Sequence, residues 1–422
     1  MTATDPRRAV EAVWRIESAR IVAGLARLVG DVGLAEELAQ DTLVIALEQW
    51  PTAGVPDHPG SWLMATAKHR AVDVLRRRAR YREKLAEIGR ATPASDDPDL
   101  AAEVDDYVGD DLLRLVFTTC HPVLPTDARV ALTLRLLGGL TVPEIARAYL
   151  DSEAAVARRI TRAKRTLAAK RVPIELPPPA EAAQRLASVL EVVYLIFNEG
   201  YTATAGDDWT RPALCAEALR LGRVLATLAP REPEVHGLAT LAPREPEVHG
   251  LAALMELQAS RLPARTDPTG APVLLQDQDR SRWDRLLVRR GLDALGRAEG
   301  TFGPYVLQAS IAACHARAPS AEATDWDRIA TLYQVLSHVS PSPVVDLNRA
   351  VAVAHAHGPA HALGIVDALD LPDYPLLPAV RGDLLARLGR SAEAREEFLR
   401  AAAMTRNSRE RELFEARATA LG

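Results

Sequence analysis

Arg158, Arg159, Arg162, Lys164, Arg165, Lys170 and Arg171 crowd one short stretch that holds no acid after Glu153. Basic side chains three and four residues apart share a helix face. Such a face neutralises phosphates and, through bidentate guanidinium bonds, reads guanine edges in a DNA groove. The face exists only if the stretch is helical, and its apolar residues say that it is. Val156, Ile160, Ala163 and Leu167 recur at helical spacing, and Asp151 or Ser152 stands where an N-cap belongs. Just upstream, Thr141 and Glu144 have the spacing of a capping box. Pro143 sits in the first turn, where a missing N–H costs nothing, and Ile145, Ala146 and Tyr149 give this short helix an apolar face. Two capped helices, the second of them basic, are expected to form a helix-turn-helix whose second helix enters a major groove.

A second basic stretch lies nearer the N-terminus. Lys68, His69, Arg70, Arg76, Arg77, Arg78, Arg80 and Arg82 fall on a helix expected over 59–82, opened by Pro59-Gly60-Ser61. Trp50 and Trp62 flank its start; an aromatic ring that stacks on an unpaired base contributes about 1–3 kcal/mol. Packing in the core competes with that role, and Trp62 begins an apolar helix face, which favours the core. An earlier helix over 34–47 opposes an acidic face of Glu37, Asp41 and Glu48 to an apolar one of Leu34, Leu38 and Ile45.

The elements that must position these faces are helical throughout. At 422 residues the chain exceeds one core, and Ala, Leu and Arg dominate while aromatics are only 5%. Amphipathic segments run over 9–28, 34–47 and 59–82. The character changes at 86–111, where prolines and the acids Glu103, Asp105, Asp106, Asp110 and Asp111 read as a linker. Helices resume at Leu112. Pro173, Pro177, Pro178 and Pro179 mark a stiff second boundary, and everything after Glu181 is again helical in pattern without a convincing strand. Net charge is −5, but the first 172 residues are close to neutral and the remainder carries most of the negative excess.

Two repetitions appear in that second half. Gly382, Leu385, Gly389, Ala394, Phe398 and Ala401 have the spacing of a tetratricopeptide helix pair, in which small residues let two helices approach; Ala350, Val353, Ala362 and Val366 echo it weakly. Residues 225–237, LATLAPREPEVHG, recur unchanged as 238–250. A perfect copy this short reads as a recent local duplication, and four prolines forbid one continuous helix across both copies. The extra residues are expected to bulge outward and leave the packed helices in place.

Much is excluded. Cys120, Cys215 and Cys314 lie far apart and support neither a disulfide framework nor a zinc site. His355, His357 and His361 straddle the break at Gly358-Pro359, so no shared metal face is expected. No nucleophile-elbow, zinc-protease or P-loop signature occurs, and no catalytic residue, metal or cofactor is expected. Asp277, Asp279, Arg280, Arg282 and Trp283 form a dense polar cluster, read as an ion-paired surface joining helices. In Asn198-Glu199-Gly200 the glycine is expected to end a helix as a left-handed cap. The N-terminus lacks an apolar leader and no run approaches membrane-span length, so a cytoplasmic protein is expected.

The order of these pieces resembles that of the extracytoplasmic-function (ECF) sigma factors of bacterial RNA polymerase. The resemblance implies an all-α fold of two small helical sigma modules and a C-terminal helical array. It implies that the helix 31–43, with Glu37, Leu38 and Asp41, is region 2.2, which docks on the beta-prime clamp of core polymerase. The loop 50–59 and the helix with Trp62, Lys68, His69, Arg70, Arg76, Arg77 and Arg78 resemble regions 2.3 and 2.4, which open and read the minus-10 element; Lys68-His69 stand where the family commonly has Arg-Asn. Residues 138–171, with Arg158, Arg159, Arg162, Lys164 and Arg165, resemble region 4.2, the reader of the minus-35 element.

Further stretches, 117–122, 132–141 and 162–165, then 194–201, 277–283 and 308–316, resemble one subgroup with a long extension of TPR-like helices. In that subgroup the extension, rather than a membrane anti-sigma factor, is thought to govern activity; with the negative excess after residue 172 and basic reading helices, an intramolecular contact with the sigma modules is electrostatically favoured. The expected domains are region 2 at 1–84, the acidic linker at 85–110, region 4 at 111–172, a Pro-rich linker at 173–180 and the extension at 181–422. The expected partners are core RNA polymerase and promoter DNA, with no membrane. The competing reading is a helix-turn-helix regulator that binds duplex DNA alone and senses a ligand or partner through its helical array.

Overall fold

A computed structural model of the chain describes residues 6–89, 108–149, 151–227, 245–298 and 300–422. Among these the architecture is all-α, with 18 α-helices and only two strands, each of two residues. None of the described helices is long and apolar enough to cross a membrane. The described residues divide at Val192 into two compact units.

The first unit is built on α1 (Pro6–Val29), which packs against α2 (Val32–Ala53), α3 (Pro59–Gly89) and α4 (Val108–Thr119). Ile21 and Leu25 on α1 and Leu63 on α3 are wholly buried. Asp31 starts α2 by accepting the Leu34 N–H at 2.8 Å, and Gly54 ends it in a conformation (φ 87°) that only glycine adopts freely. Helix α3 runs a full turn or more past the expected Arg82; the linker reading of 90–107 lies outside the described residues. Asp111, read with the linker, instead belongs to α4. It is buried and pairs with Arg27 of α1 at 3.2 Å and Arg114 at 3.0 Å.

Helices α5 (Thr126–Leu136), α6 (Val142–Tyr149) and α7 (Glu153–Ala169) complete the unit together with the first turns of α8 (Pro179–Tyr201). Those turns are held by polar bonds rather than left as a tether. Arg185 donates to the Phe117 carbonyl at 2.8 Å and Ser188 to the Cys120 carbonyl at 2.7 Å. Arg129 of α5 donates to the Ser188 hydroxyl and pairs with Glu191 at 3.1 Å.

The second unit holds the last turns of α8, then α9 (Pro212–Thr227), α10 (Pro246–Ala259), α11 (Arg285–Arg297), α12 (Pro304–Arg317), α13 (Trp326–Val339), α14 (Pro343–Ala356), α15 (Pro359–Val366), α16 (Leu376–Arg387), α17 (Ser391–Met404) and α18 (Ser408–Thr419). Neighbours along the chain pack on one another. The pair α16 and α17 meets where the small-residue spacing predicts. A Cβ on Gly382 would lie 3.2 Å from the Ala394 carbonyl and from the Phe398 ring. Gly200 is not the left-handed cap expected of it. It lies inside α8, and its hydrogen side chain admits α9: a Cβ there would be 2.6 Å from the Cys215 nitrogen. A parallel two-residue pairing of Ala205–Gly206 with Arg406–Asn407 ties the loop after α8 to the start of α18. Asn407, buried, donates to the carbonyls of Ala203 and Asp208 at 3.1 and 2.9 Å. Leu251, Leu254 and Leu257 of α10 are buried, whereas residues 228–244, most of the duplication, lie outside the described residues.

Candidate nucleic-acid interface

The capping box forms as spelled. The Thr141 N–H donates to Glu144 Oε2 at 2.7 Å, and the Glu144 N–H donates to Thr141 Oγ1 at 3.3 Å. Two of the orphan donors of α6 are thereby satisfied. Gly139 turns the chain between α5 and α6 at φ 67°. Of the two cap candidates for α7, Ser152 is the N-cap, accepting from the Ala155 N–H at 3.1 Å. Asp151 accepts from the Ser152 N–H at 2.7 Å. That backbone bond first, and Arg159 second, hold its carboxyl below the usual carboxylate range. Ile145, Ala146, Val156, Ile160, Ala163 and Leu167 are all buried. The basic face of α7 is therefore turned outward by its own apolar stripe.

That face is not uniform. Arg158, Arg162 and Arg165 are exposed. Arg159 is half-buried between Asp127 of α5 at 2.8 Å and Asp151 at 2.9 Å. Lys164 is half-buried and donates to Glu36 of α2. The same carboxylate accepts from Arg135 of α5 at 2.6 Å. Glu36 is 7% exposed and so joins the helix-turn-helix to α2 through a largely dry ion triad. Beside it lies a cleft of about 710 Å³ whose lining includes Arg27, Arg114, Lys164 and Arg171.

On α3, His69, Arg76, Arg77 and Arg78 are exposed, and Lys68 and Arg70 are half-buried. Arg70 bonds Asp41 of α2 at 2.7 Å. The tryptophans separate. Trp50 is buried, and Trp62, half-buried, meets it edge to face with centroids 5.6 Å apart. On α2, Glu37, Asp41 and the apolar Val44 are exposed on one side, while Leu38 is buried in the core. An exposed acidic side with an apolar residue at its centre suits a partner surface better than a merely solvated face. The three histidines near Gly358 make separate contacts. His355 stacks on Trp326 with centroids 4.0 Å apart, His357 lies 3.9 Å from Asp327, and His361 bonds the His357 carbonyl.

Sequence reasoning missed Glu36, Arg135 and Asp127. For Glu36 a signal existed: it shares the spacing of Val32, Ala35, Ala39 and Ala46, all buried on α2, so an acid stood in an apolar row. Because Arg158 and Arg162 are exposed opposite the apolar stripe of α7, alanine at either is expected to weaken engagement of a DNA groove in a way that depends on the base sequence. One bidentate arginine–guanine pair discriminates by about 1–3 kcal/mol. Equal losses on all duplex sequences would assign both residues to phosphate contacts instead.

Comparison with known proteins identifies the segments that carry these surfaces. Sigma-70 region 2 matches residues 16–81 and sigma-70 region 4 matches residues 114–167. A family of unknown function, DUF6596, matches residues 185–242 and 239–299. The uncharacterized protein R00370 of Rhizobium meliloti (strain 1021) is 43% identical over 391 residues, covering 92% of this chain and 89% of that one. The probable ECF RNA polymerase sigma factor SigI of Mycobacterium tuberculosis is 29% identical over 184 residues, 42% of this chain and 60% of that protein. No solved structure matches.

The DUF6596 match breaks into two overlapping segments at the 225–250 duplication, as it would if the family carried a single copy. Removing residues 238–250 leaves an identical copy to rebuild the start of α10. The melting temperature is then expected to stay level or rise, since a shorter connection between α9 and α10 closes at smaller entropic cost. A marked fall in a thermal melt would mean that both copies are built into the core.

Proposed function

The chain belongs to the same family as the Rhizobium meliloti protein and, carrying regions 2 and 4, is a sigma-70-like factor; on that premise we propose that it is an ECF-type factor that loads core RNA polymerase onto a two-part promoter. In this reading the exposed Glu37 and Asp41 side of α2 meets the polymerase clamp. Lys68, His69, Arg70 and Arg76 to Arg78 on α3 engage the minus-10 DNA, and Arg158, Arg162 and Arg165 on α7 engage the minus-35 DNA. Lys164 and Arg159 join them once their carboxylate partners are released. The observation that carries the reading is the pairing of two outward basic helix faces, one in each matched region, with an acidic partner face on α2 ahead of both in sequence.

The two promoter elements lie roughly 25 base pairs apart, about 85 Å at 3.4 Å per pair. One compact unit in which Glu36 ties α2 to α5 and α7 cannot place α3 and α7 on both at once. Promoter binding therefore requires the triad to open, and the closed arrangement is the resting one. Opening it takes free energy, which polymerase binding to α2 supplies if the clamp competes for that helix. We assign the extension a modulating role, supported by its share of the negative charge and by the resemblance of its helices to partner-holding arrays. No catalytic step is assigned to the chain.

Purified core polymerase mixed with the full chain should yield run-off transcripts from a cognate promoter, while the chain alone should bind the same duplex weakly. Tight operator binding without polymerase, and no run-off product with it, would replace this reading by that of a self-sufficient helix-turn-helix regulator.

A further inference from the structure

The dense polar cluster around Arg280 is not the ion-paired surface its sequence suggests. Arg280 is 9% exposed and turns inward, donating to the carbonyls of His315 and Ala318, both at 2.7 Å, and to the Thr324 hydroxyl at 2.9 Å. Its guanidinium lies 5.1 Å from the Trp283 ring centroid, and that of Arg261 lies 5.9 Å from the same ring. Arg261 also faces the Tyr201 ring at 5.6 Å, and the buried Arg265 lies against that ring at 3.7 Å. Three guanidinium groups are thus strung along two aromatic rings inside the second unit.

What they lack is a bonded negative charge: the nearest acid acting on them, Glu322, reaches Arg280 only at a distance. Among the described residues none of the three pairs with a carboxylate. The buried acids nearby in sequence are taken elsewhere, Glu199 by Arg211 and Glu256 by Arg223. Burying a cation without a counter-ion is costly, and aromatic faces and carbonyls return only part of that cost. Burial first, and then the charge of Arg261, lower the Arg280 pKa against the opposing charge of Glu322, and burial, joined by Arg261, lowers that of Arg265. His315 is buried against Trp326, ring centroids 5.2 Å apart, and is held neutral, its pKa pushed down to about 3 first by burial and then by Arg261 and Arg280. The Nε atoms of all three arginines, Trp283 Nε1 and His315 Nδ1 are buried without a hydrogen-bond partner. A native interior holds few such atoms. Here five of them share one neighbourhood, and four are N–H donors by their chemistry.

We propose that Arg261, Arg265, Arg280 and Trp283 form the binding site of a small oxyanion ligand, a molecule bearing a phosphate or carboxylate group, in the helical extension. Planar guanidinium forks are matched to such oxygens, and the two rings fix the forks in place before the ligand arrives. The site stands apart from promoter recognition, since it rests on no residue of the first unit, and it is tested by binding alone.

The test uses the full chain with inorganic phosphate in one arm and citrate in another, at constant ionic strength set with chloride. Titration calorimetry and tryptophan fluorescence report binding, Trp283 being the built-in probe. One of the two anions should bind saturably and raise the melting temperature, and the arm that does so identifies the ligand group. Arg261→Met should weaken that binding about 10- to 100-fold, the loss expected for one charge-assisted contact, while Arg261→Lys retains part of it. Without ligand, Arg261→Met should melt close to the parent, because removal of a like charge offsets loss of the Tyr201 bond and the ring contacts. Arg261 is the position to change, since it is half-buried and its one side-chain hydrogen bond among the described residues is to the Tyr201 hydroxyl, whereas Arg280 clamps two carbonyls and a hydroxyl. Absence of saturable binding in both arms, or equal affinity in Arg261→Met, would overturn the proposal. A melting temperature that falls in the variant without any ligand effect would show the three arginines to be structural only.

Discussion

Replacing Glu36 with glutamine is expected to loosen the first unit by about 3 kcal/mol, the lower end for a broken buried ion pair. The lower end applies because Arg135 and Lys164 keep 19% and 23% of their side-chain exposure and so recover some hydration when their partner is neutralised. The loss should be local. Amide hydrogen exchange should rise in α2 and in α7, where the triad is anchored, and much less in the second unit. A double-mutant cycle with Arg135→Gln should give a coupling of about 1–3 kcal/mol, which separates the ion pair from any unrelated damage to α2. If the triad is the latch of a resting arrangement, run-off transcription by Glu36→Gln should also need less polymerase for half-maximal output. A change in stability below about 0.5 kcal/mol, with unaltered exchange, would mean that the triad holds nothing shut.

The triad also marks where the chain stops being readable as a string of residues. The helix-turn-helix was legible almost completely, because each of its signals is local. Thr141 caps with Glu144 three residues on, Ser152 caps its own helix, and the apolar stripe of α7 repeats every turn. The fold class was legible for the same reason. Partners from other helices were not. The basic face of α7 contains no acid in its own sequence, yet Asp127 arrives from α5 and Glu36 from α2. Local sequence cannot say which of seven cations will be engaged. Gly200 failed in the same manner: a glycine near the end of an apolar run suits a cap, but the demand on it comes from α9, fifteen residues further on. The polar run 277–283 offered two acids beside its arginines, and only the packing of α12 and α13 decides that Arg280 faces carbonyls and not those acids.

Cutting the chain after Pro179 is expected to damage the first unit, whereas cutting it after Val192 should leave that unit intact. Between these points lie Arg185, Ser188 and Glu191, which bond the Phe117 and Cys120 carbonyls and Arg129. Losing these bonds, several of them to charged groups, removes about 4 kcal/mol, roughly 10–15 °C of melting temperature for a unit of this size. Cys120 supplies a direct readout. It is 1% exposed, and burial raises its thiol pKa above the ordinary value, opposed by bonds to Thr133 and Thr119. In the 1–192 chain the thiol should stay inert toward a thiol-reactive dye until unfolding, and in the 1–179 chain it should react under native conditions, since the Ser188 and Arg185 bonds beside it are gone. The same pair of truncations tests the role proposed for the extension. Only the 1–192 chain removes the helical array without stripping the support of α4 and α5, so a change in its run-off output relative to the full chain, in either direction, reports regulation and not collapse. Unchanged output from a stably folded 1–192 chain would end the regulatory proposal for the extension. A 1–179 chain as stable as 1–192, with Cys120 still protected, would show that the polar bonds of α8 contribute nothing to the first unit.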